Sequence, residues 1–249
     1  MAEPPVLLLM LAAVVVGLSK GGLAFLAALA VPMLALVMNP VQAAALLLPV
    51  FLATDWVAVA LYRRDWSGRN LAILVPALAA GTVVAVPAAP AMPEAPLLVF
   101  TGAVGLWTCL RSWLGRADAP PTRARVGPGL AWGALAGVTS FVTHSGAPPA
   151  QAFLLPQRLP RLVFAGTMAI AFAAGDVAKL PGYWALGLLE GFDAGLMALL
   201  LPAGVAGTAA GRWIVRRLRD DTYRRAVEAI LFAFSVLLIA QGGAGLLAA

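Results

Sequence analysis

Few residues in this chain are equipped for chemistry, and the first of them is a lysine in an improbable place. Lys20 stands in Gly17-Leu18-Ser19-Lys20-Gly21-Gly22, within a run otherwise apolar from Val6 to Met38. A lysine at the centre of a membrane helix costs at least ~2.5 kcal/mol on insertion scales, so it faces protein or a water-filled cavity. The flanking glycines weaken the helix. Free amides of Gly21 and Gly22 at a half-helix N-terminus, with the Ser19 hydroxyl and the Lys20 ammonium, are expected to converge on one small anion. The competing expectation is a lysine that snorkels to an interface or pairs with Asp55 for packing alone.

A second break follows 124 residues after Lys20, at Thr143-His144-Ser145-Gly146-Ala147-Pro148-Pro149. His144 is the single histidine. It can serve as a hydrogen-bonded structural residue, donate to an oxyanion, or titrate near neutral pH. Thr143, Ser145 and the Gly146 amide supply further donors. Pro148 and Pro149 suit the first turn of a returning half-helix, where missing N–H groups cost little.

Asp55 and Asp176 lie inside apolar runs, where a carboxylate belongs by default to a proton or ion pathway. The alternative is a fixed ion pair. Lys179 follows Asp176 by three residues, the spacing of one helix face, and Lys20 can pair with Asp55. Burial and a neighbouring cation act on such carboxyls in opposite directions, so either aspartate can carry a coupling proton. Gln42, Gln151 and Gln157 are candidate cavity-lining polar residues, and Trp56, next to Asp55, a candidate wall. Trp66, Trp113, Trp184 and Trp213 read as interfacial anchors. No nucleotide loop, metal cluster, cofactor motif or catalytic serine or cysteine set is present in the sequence. An enzyme is not expected.

The elements that hold these residues follow from composition. Of 249 residues, 62% are hydrophobic and 11% charged, against roughly half and a quarter in soluble domains. The chain reads as an all-α polytopic membrane protein. Its net charge of +6 comes from arginine clusters between apolar runs, which mark orientation and not a nucleic-acid face. The one cysteine, Cys109, excludes an internal disulfide. The N-terminus lacks a basic leader region, so the first apolar segment is expected to be retained.

Full spans of about 20 residues are predicted at 41–62, 71–89, 97–113, 162–180, 188–211 and 226–248. Segments 6–38 and 129–157 are too long for one crossing and too short for two. Both are predicted to be re-entrant hairpins with half-helical limbs, tolerable where protein or a cavity covers the bend. With the hairpins re-entrant, every arginine-rich loop falls on one side, as the positive-inside rule requires.

Each half is then a broken hairpin followed by three spans, an odd number of crossings, so the second half is inverted relative to the first. The halves are 1–114 and 129–249, joined by a linker at 115–128. Lys20 to Pro32 matches His144 to Pro156 at an offset of 124, and Asp55 matches Asp176 at 121. Leu-Val-Pro-Ala-Leu-Ala-Ala-Gly-Thr (74–82) matches Leu-Leu-Pro-Ala-Gly-Val-Ala-Gly-Thr (200–208) at 126. Inverted repeats with broken helices are characteristic of secondary transporters.

The break before Val31-Pro32, the stretch Thr139-Ser140-Phe141-Val142-Thr143-His144-Ser145-Gly146-Ala147-Pro148-Pro149, and Phe153-Leu154-Leu155-Pro156 resemble the TauE/SafE family of sulfite and organosulfonate exporters. Ala165-Gly166-Thr167 and Lys179-Leu180-Pro181-Gly182-Tyr183 continue the likeness. The chain departs from the family pattern at Ser19-Lys20, where a glycine run is usual, and at Gly146-Ala147, where two glycines are. The resemblance implies a multi-pass transporter of the cell inner membrane. It would move small sulfur-containing or carboxylate anions, coupled to protons.

The leading expectation is therefore export of sulfite, sulfoacetate or a related sulfonate by alternating access. Lys20, His144 and the amides at Gly21, Gly22 and Gly146 bind the anion in this reading, and Asp55 or Asp176 carries the proton. The partners are a small anion, protons and the bilayer, with a homo-oligomer as an option. A passive anion channel of the same architecture, a carboxylate transporter and an intramembrane enzyme using His144 are the alternatives.

Overall fold

The computed structural model describes residues 5–26, 29–30, 33–34, 37, 40–88, 92–114, 120–185 and 194–248. Among them the structure is helical and contains no strand. The helices are α1 (Val6–Lys20), α2 (Pro40–Leu61), α3 (Gly68–Ala88), α4 (Glu94–Leu114), α5 (Val126–Thr143), α6 (Ala147–Leu154), α7 (Arg161–Ala185), α8 (Ala194–Arg217) and α9 (Asp220–Ala248). Short 3-10 turns stand at Ala24–Leu26 and Leu155–Gln157. Among the described residues, six helices are long and apolar enough to cross a membrane: α3, α4, α5, α7, α8 and α9. The chain is a multi-pass membrane protein. Outward-facing side chains such as Leu7, Val83, Val84 and Leu114 are strongly exposed and apolar, as lipid contact demands.

Helix ends differ from the hydropathy boundaries in one consistent way. The arginine-rich segment expected between the last two spans is almost entirely helix. Arg212, Arg216 and Arg217 extend α8, Arg224 and Arg225 belong to α9, and Leu218-Arg219 alone separates the helices. Hydropathy registers where lipid ends, whereas backbone hydrogen bonds continue into water. The returning limb of hairpin 6–38 falls largely outside the described residues.

The chain divides into two compact units. Unit 1 is Met1–Trp66 with Ala165–Leu218, and unit 2 is Ser67–Phe164 with Arg219–Ala249. Each draws on both halves of the sequence.

In unit 1, α1 packs along α8 through glycine. A Cβ at Gly17 would strike the Gly204 carbonyl and the Thr208 amide, and one at Gly207 would strike the Val14 carbonyl. In unit 2, α3 packs along α5 the same way. A Cβ at Gly137 would strike the Leu78 carbonyl and the Thr82 amide, and one at Gly81 the Ala134 carbonyl. The small-xxx-small stretch Gly133 to Gly137 thus brings two backbones together, since dispersion and close backbone approach drive helix association where no hydrophobic effect exists. Gly204 and Thr208 in one seam take the places of Leu78 and Thr82 in the other, and Gly17 takes that of Gly137. In this packing register Lys20 corresponds to Ser140, four residues short of the His144 match made by sequence. Gly17→Leu and Gly137→Leu are each expected to lower the thermal unfolding midpoint in detergent, because overpacking against backbone costs at least ~1–3 kcal/mol.

The second break forms a hairpin in unit 2. The Thr122 amide, ahead of α5, donates to the Pro156 carbonyl, past α6, at 3.0 Å. Arg69 Nε donates to the Ala124 carbonyl at 2.9 Å. Asn70 and Gln157 exchange two amide hydrogen bonds, each 3.0 Å. The segment entering α5 and the segment leaving α6 therefore meet at the start of α3. Gln157 closes the hairpin. The first limb runs 18 residues, longer than a half-span, because the helix starts ahead of Gly129 with Pro128 in its first turn.

Candidate functional site

Unit 1 buries four charges together. Lys20, Asp55, Asp176 and Lys179 are only 3–6% exposed. Lys20 Nζ lies 2.5 Å from Asp55 Oδ1 and 2.6 Å from Asp176 Oδ2. The other Asp176 oxygen accepts from Lys179 Nζ at 2.7 Å, one turn along α7. Lys20 Nζ also sits 5.2 Å from the centre of the Phe51 ring, a cation–π contact. The expected pairings of Lys20 with Asp55 and of Asp176 with Lys179 are both present, and Lys20 joins them.

The network is not evenly satisfied. Asp176 accepts from both lysines, whereas Asp55 Oδ2 is buried and faces no donor. Lys20 Nζ bridges the two carboxyl groups. A carboxyl oxygen that meets no donor can itself carry a proton and become one.

The backbone at the first break is otherwise occupied than expected. Gly21 N donates to Gly17 O at 2.8 Å, Gly22 N to Ser19 O at 3.2 Å, and Leu23 N to Leu18 O at 3.2 Å. The last two bonds, with Gly22 at φ +117°, make a Schellman closure. Lys20 thus ends a helix and does not begin one. The amides of Gly21 and Gly22 cap α1 and are not free for an anion, and Ser19 Oγ donates to its own helix at Val16 O. The C-terminal dipole of α1 favours the Lys20 cation. Gly22→Ala is expected to be destabilising by at least ~1 kcal/mol from its φ alone, and its Cβ would also crowd the Tyr62 hydroxyl. Thermal unfolding in detergent reads this directly.

Three residues that sequence reading did not select cover this break. Tyr62 is fully buried and donates to the Gly21 carbonyl at 2.6 Å. Arg212 lies over the Tyr62 ring, 4.4 Å from its centre, and its Nη2 reaches Asp65 at 2.9 Å. Arg212 Nη1 is buried without a hydrogen-bond partner. The signal was Gly204, Thr208 and Arg212 at four-residue spacing, which places Arg212 on the face of α8 that carries the glycine seam.

Trp56 is 68% exposed and turned away from Asp55; Phe51 supplies the aromatic wall. Gln42 lies on α2, and its side chain is outside the described residues.

The second break is described within unit 2. His144 ends α5 in the left-handed conformation, φ 53°, which histidine adopts more readily than most residues. Ser145 N donates to Thr139 O at 3.1 Å, Ser145 Oγ to Thr143 O at 3.0 Å, and Thr143 Oγ1 to Thr139 O at 2.9 Å. These hydroxyls fasten the turn. Gly146 precedes α6, whose first turn holds Pro148 and Pro149. Gln151 on α6 is 1% exposed, and its Oε1 has no partner. His144→Gly is expected to keep the turn, whose φ glycine adopts freely, while removing the imidazole; a transport loss with the thermal unfolding midpoint in detergent unchanged reports chemistry and not folding.

A buried acid was also missed. Glu228, at the arginine-rich end of α9, accepts from Ser112 Oγ at 2.6 Å and Trp113 Nε1 at 3.2 Å. It lies just inside the span predicted at 226–248. Among the described residues, no group of three or more histidine, cysteine or acidic side chains is arranged to hold a metal.

A polytopic helical chain with charges buried beside a broken helix can be set against known families. The model of the family described as Sulfite exporter TauE/SafE matches residues 9–238, nearly the whole chain. The chain belongs to the TauE/SafE family. Neither the curated proteins nor the solved structures contain a match. Membership in TauE/SafE makes this a membrane protein of exporter-type anion transport. It is consistent with the expectation that the chain is no enzyme. The matched stretch contains Lys20, Asp55, Asp176, Lys179 and the His144 break.

Proposed function

We propose that this TauE/SafE protein exports a small sulfur oxyanion, such as sulfite, sulfoacetate or a related organosulfonate, together with a proton and by alternating access. One observation carries the reading: Lys20 is balanced by two carboxylates, one of which has an oxygen without a donor. Two lysines and two aspartates are formally neutral. An anion entering that cluster alone would leave an uncompensated charge in an apolar surrounding, which is prohibitively costly. A proton on Asp55 leaves Lys20 with Asp176 as its one counter-ion and gives the cluster a net positive charge. Anion and proton then bind together, with Asp55 as the proton carrier and Asp176 as the fixed partner of both lysines. His144, Thr143, Ser145 and Gly146 are proposed as donors at the second break.

Anion binding to purified protein tests this by calorimetry over a panel of sulfite, sulfate, sulfoacetate, taurine, thiosulfate and simple carboxylates. Affinity for the transported anion is expected to rise as pH falls, by up to about tenfold per unit for one linked proton. Asp55→Asn is expected to bind with no pH dependence of its own. Equal pH dependence in both proteins would remove Asp55 from the role, and tighter binding of carboxylates than of sulfonates would reassign the substrate class.

A further inference from the structure

We propose that unit 2 carries a binding site for the phosphate of an anionic phospholipid, separate from the charges of unit 1. A cavity of about 190 Å³ opens where the end of α4, the turn after α6 and the start of α9 come together. Arg111, Arg158 and Arg224 line it, one from each element, with Trp107, Ser112 and Thr122. A cavity of that size admits a phosphodiester and its first carbons.

Arginines placed only to orient a membrane protein spread into water. These three come from separate segments and converge on one space, and guanidinium groups match phosphate oxygens in bidentate geometry. No carboxylate lines the cavity among the described residues. Two acids nearby are engaged elsewhere. Asp220, in an adjoining smaller cavity, accepts from Arg161 Nη1 at 2.7 Å and from the Arg161 amide at 3.1 Å. Glu228 accepts from Ser112 and Trp113. The Arg111 guanidinium lies 5.3 Å from the centre of the Trp107 ring, which stacks in turn on Trp132 at 5.9 Å.

The surroundings favour a lipid over a soluble anion. Trp107 is itself exposed, and with the exposed Phe100 two turns earlier it forms an apolar strip that runs along α4 from the cavity toward the middle of the helix. Acyl chains can lie on that strip while the headgroup sits among the arginines. Basic pockets beside membrane helices, flanked by interfacial tryptophan, recognise anionic headgroups on this physical basis.

Native mass spectrometry of the full-length protein in detergent tests the proposal, with phosphatidylglycerol, phosphatidylcholine and inorganic phosphate as probes. Phosphatidylglycerol is expected to be retained at least tenfold better than phosphatidylcholine and to resist displacement by inorganic phosphate. The triple variant R111Q/R158Q/R224Q is expected to lose that preference, while R63Q/R64Q, which changes two exposed arginines of unit 1, keeps it. If the triple variant does not fold, Arg158→Gln and Arg224→Gln taken singly are each expected to reduce retention severalfold. Unchanged preference in these variants overturns the site. Displacement by inorganic phosphate at equal concentration overturns the lipid as its occupant.

Discussion

Asp176→Ala is expected to abolish transport and to lower the unfolding midpoint of the detergent-purified protein by roughly 10 °C. The effect is large because Asp176 is the counter-ion of two buried ammonium groups, at 2.6 and 2.7 Å. Removing one member of a buried ion network typically costs ~3–5 kcal/mol, since the remaining charge is stranded. In a chain of this length each kilocalorie is worth about 2–4 °C. The same argument makes a second, sharper expectation. Lys179→Met in the Asp176→Ala background removes the stranded ammonium and should recover part of the lost stability, while transport stays absent. Additive losses in the double variant would show that Asp176 and Lys179 do not act as a pair. Asp55→Asn should cost much less, because Asp55 faces one lysine and leaves an oxygen without a donor.

Lys20→Met is expected to reduce anion flux in proteoliposomes at least 100-fold, about 2.7 kcal/mol or more by the tenfold-per-1.4 conversion. Methionine keeps the stem and volume and removes the charge, leaving Asp55 and Asp176 facing each other with no cation between them. Lys20→Arg is not expected to rescue transport. A compact ammonium fits between two carboxylates and above the Phe51 ring, whereas a planar guanidinium requires a wider slot and different oxygen geometry. Flux within a few-fold of wild type in Lys20→Met, with folding confirmed by thermal unfolding, would take Lys20 out of the anion's path.

Much of this site is legible in the sequence, because burying a charge in lipid is so costly that each intramembrane charge announces itself. Lys20, Asp55, Asp176 and Lys179 were all selected on that ground, and the three-residue spacing of Asp176 and Lys179 gave their pairing. The contact between Lys20 and Asp176 spans 156 residues and has no local signal, although the repeat that equates Asp55 with Asp176 hints at it. Gly21-Gly22 misled for a physical reason. A glycine pair after a lysine suits either the start or the end of a helix, and the backbone bonds to Gly17, Leu18 and Ser19 settle it as an end. Arg212 was hidden by its company, since an arginine in a basic cluster reads as an orientation signal until the helix face it occupies is known. Hydropathy placed five of the six span-length helices but read α5 as a half-helical limb, and it misplaced the arginine-rich helix ends, because it measures lipid exposure and not hydrogen bonding.

Tyr62, Arg212 and Asp65 add a layer that hydropathy cannot show. Tyr62 stands two helical turns, about 10 Å, along α2 from Asp55. Its bond to the Gly21 carbonyl and the Arg212–Asp65 pair tie the break to α8 and to the turn after α2. Arg212→Ala is expected to loosen those ties, read as faster alkylation of a cysteine placed at Leu23, which is partly exposed, in an otherwise cysteine-free protein. Unchanged labelling would assign the Arg212 contacts to packing alone.

The central claim is that a proton on Asp55 releases Lys20 for the anion. Simultaneous recording of sulfite or sulfoacetate efflux and of pH in sealed proteoliposomes, wild type beside Asp55→Asn, tests it most directly. Wild-type protein should move acid together with the anion in fixed proportion, and Asp55→Asn should show no proton movement linked to whatever anion flux remains. Anion flux without acid movement in the wild type, or undiminished coupling in Asp55→Asn, would contradict it.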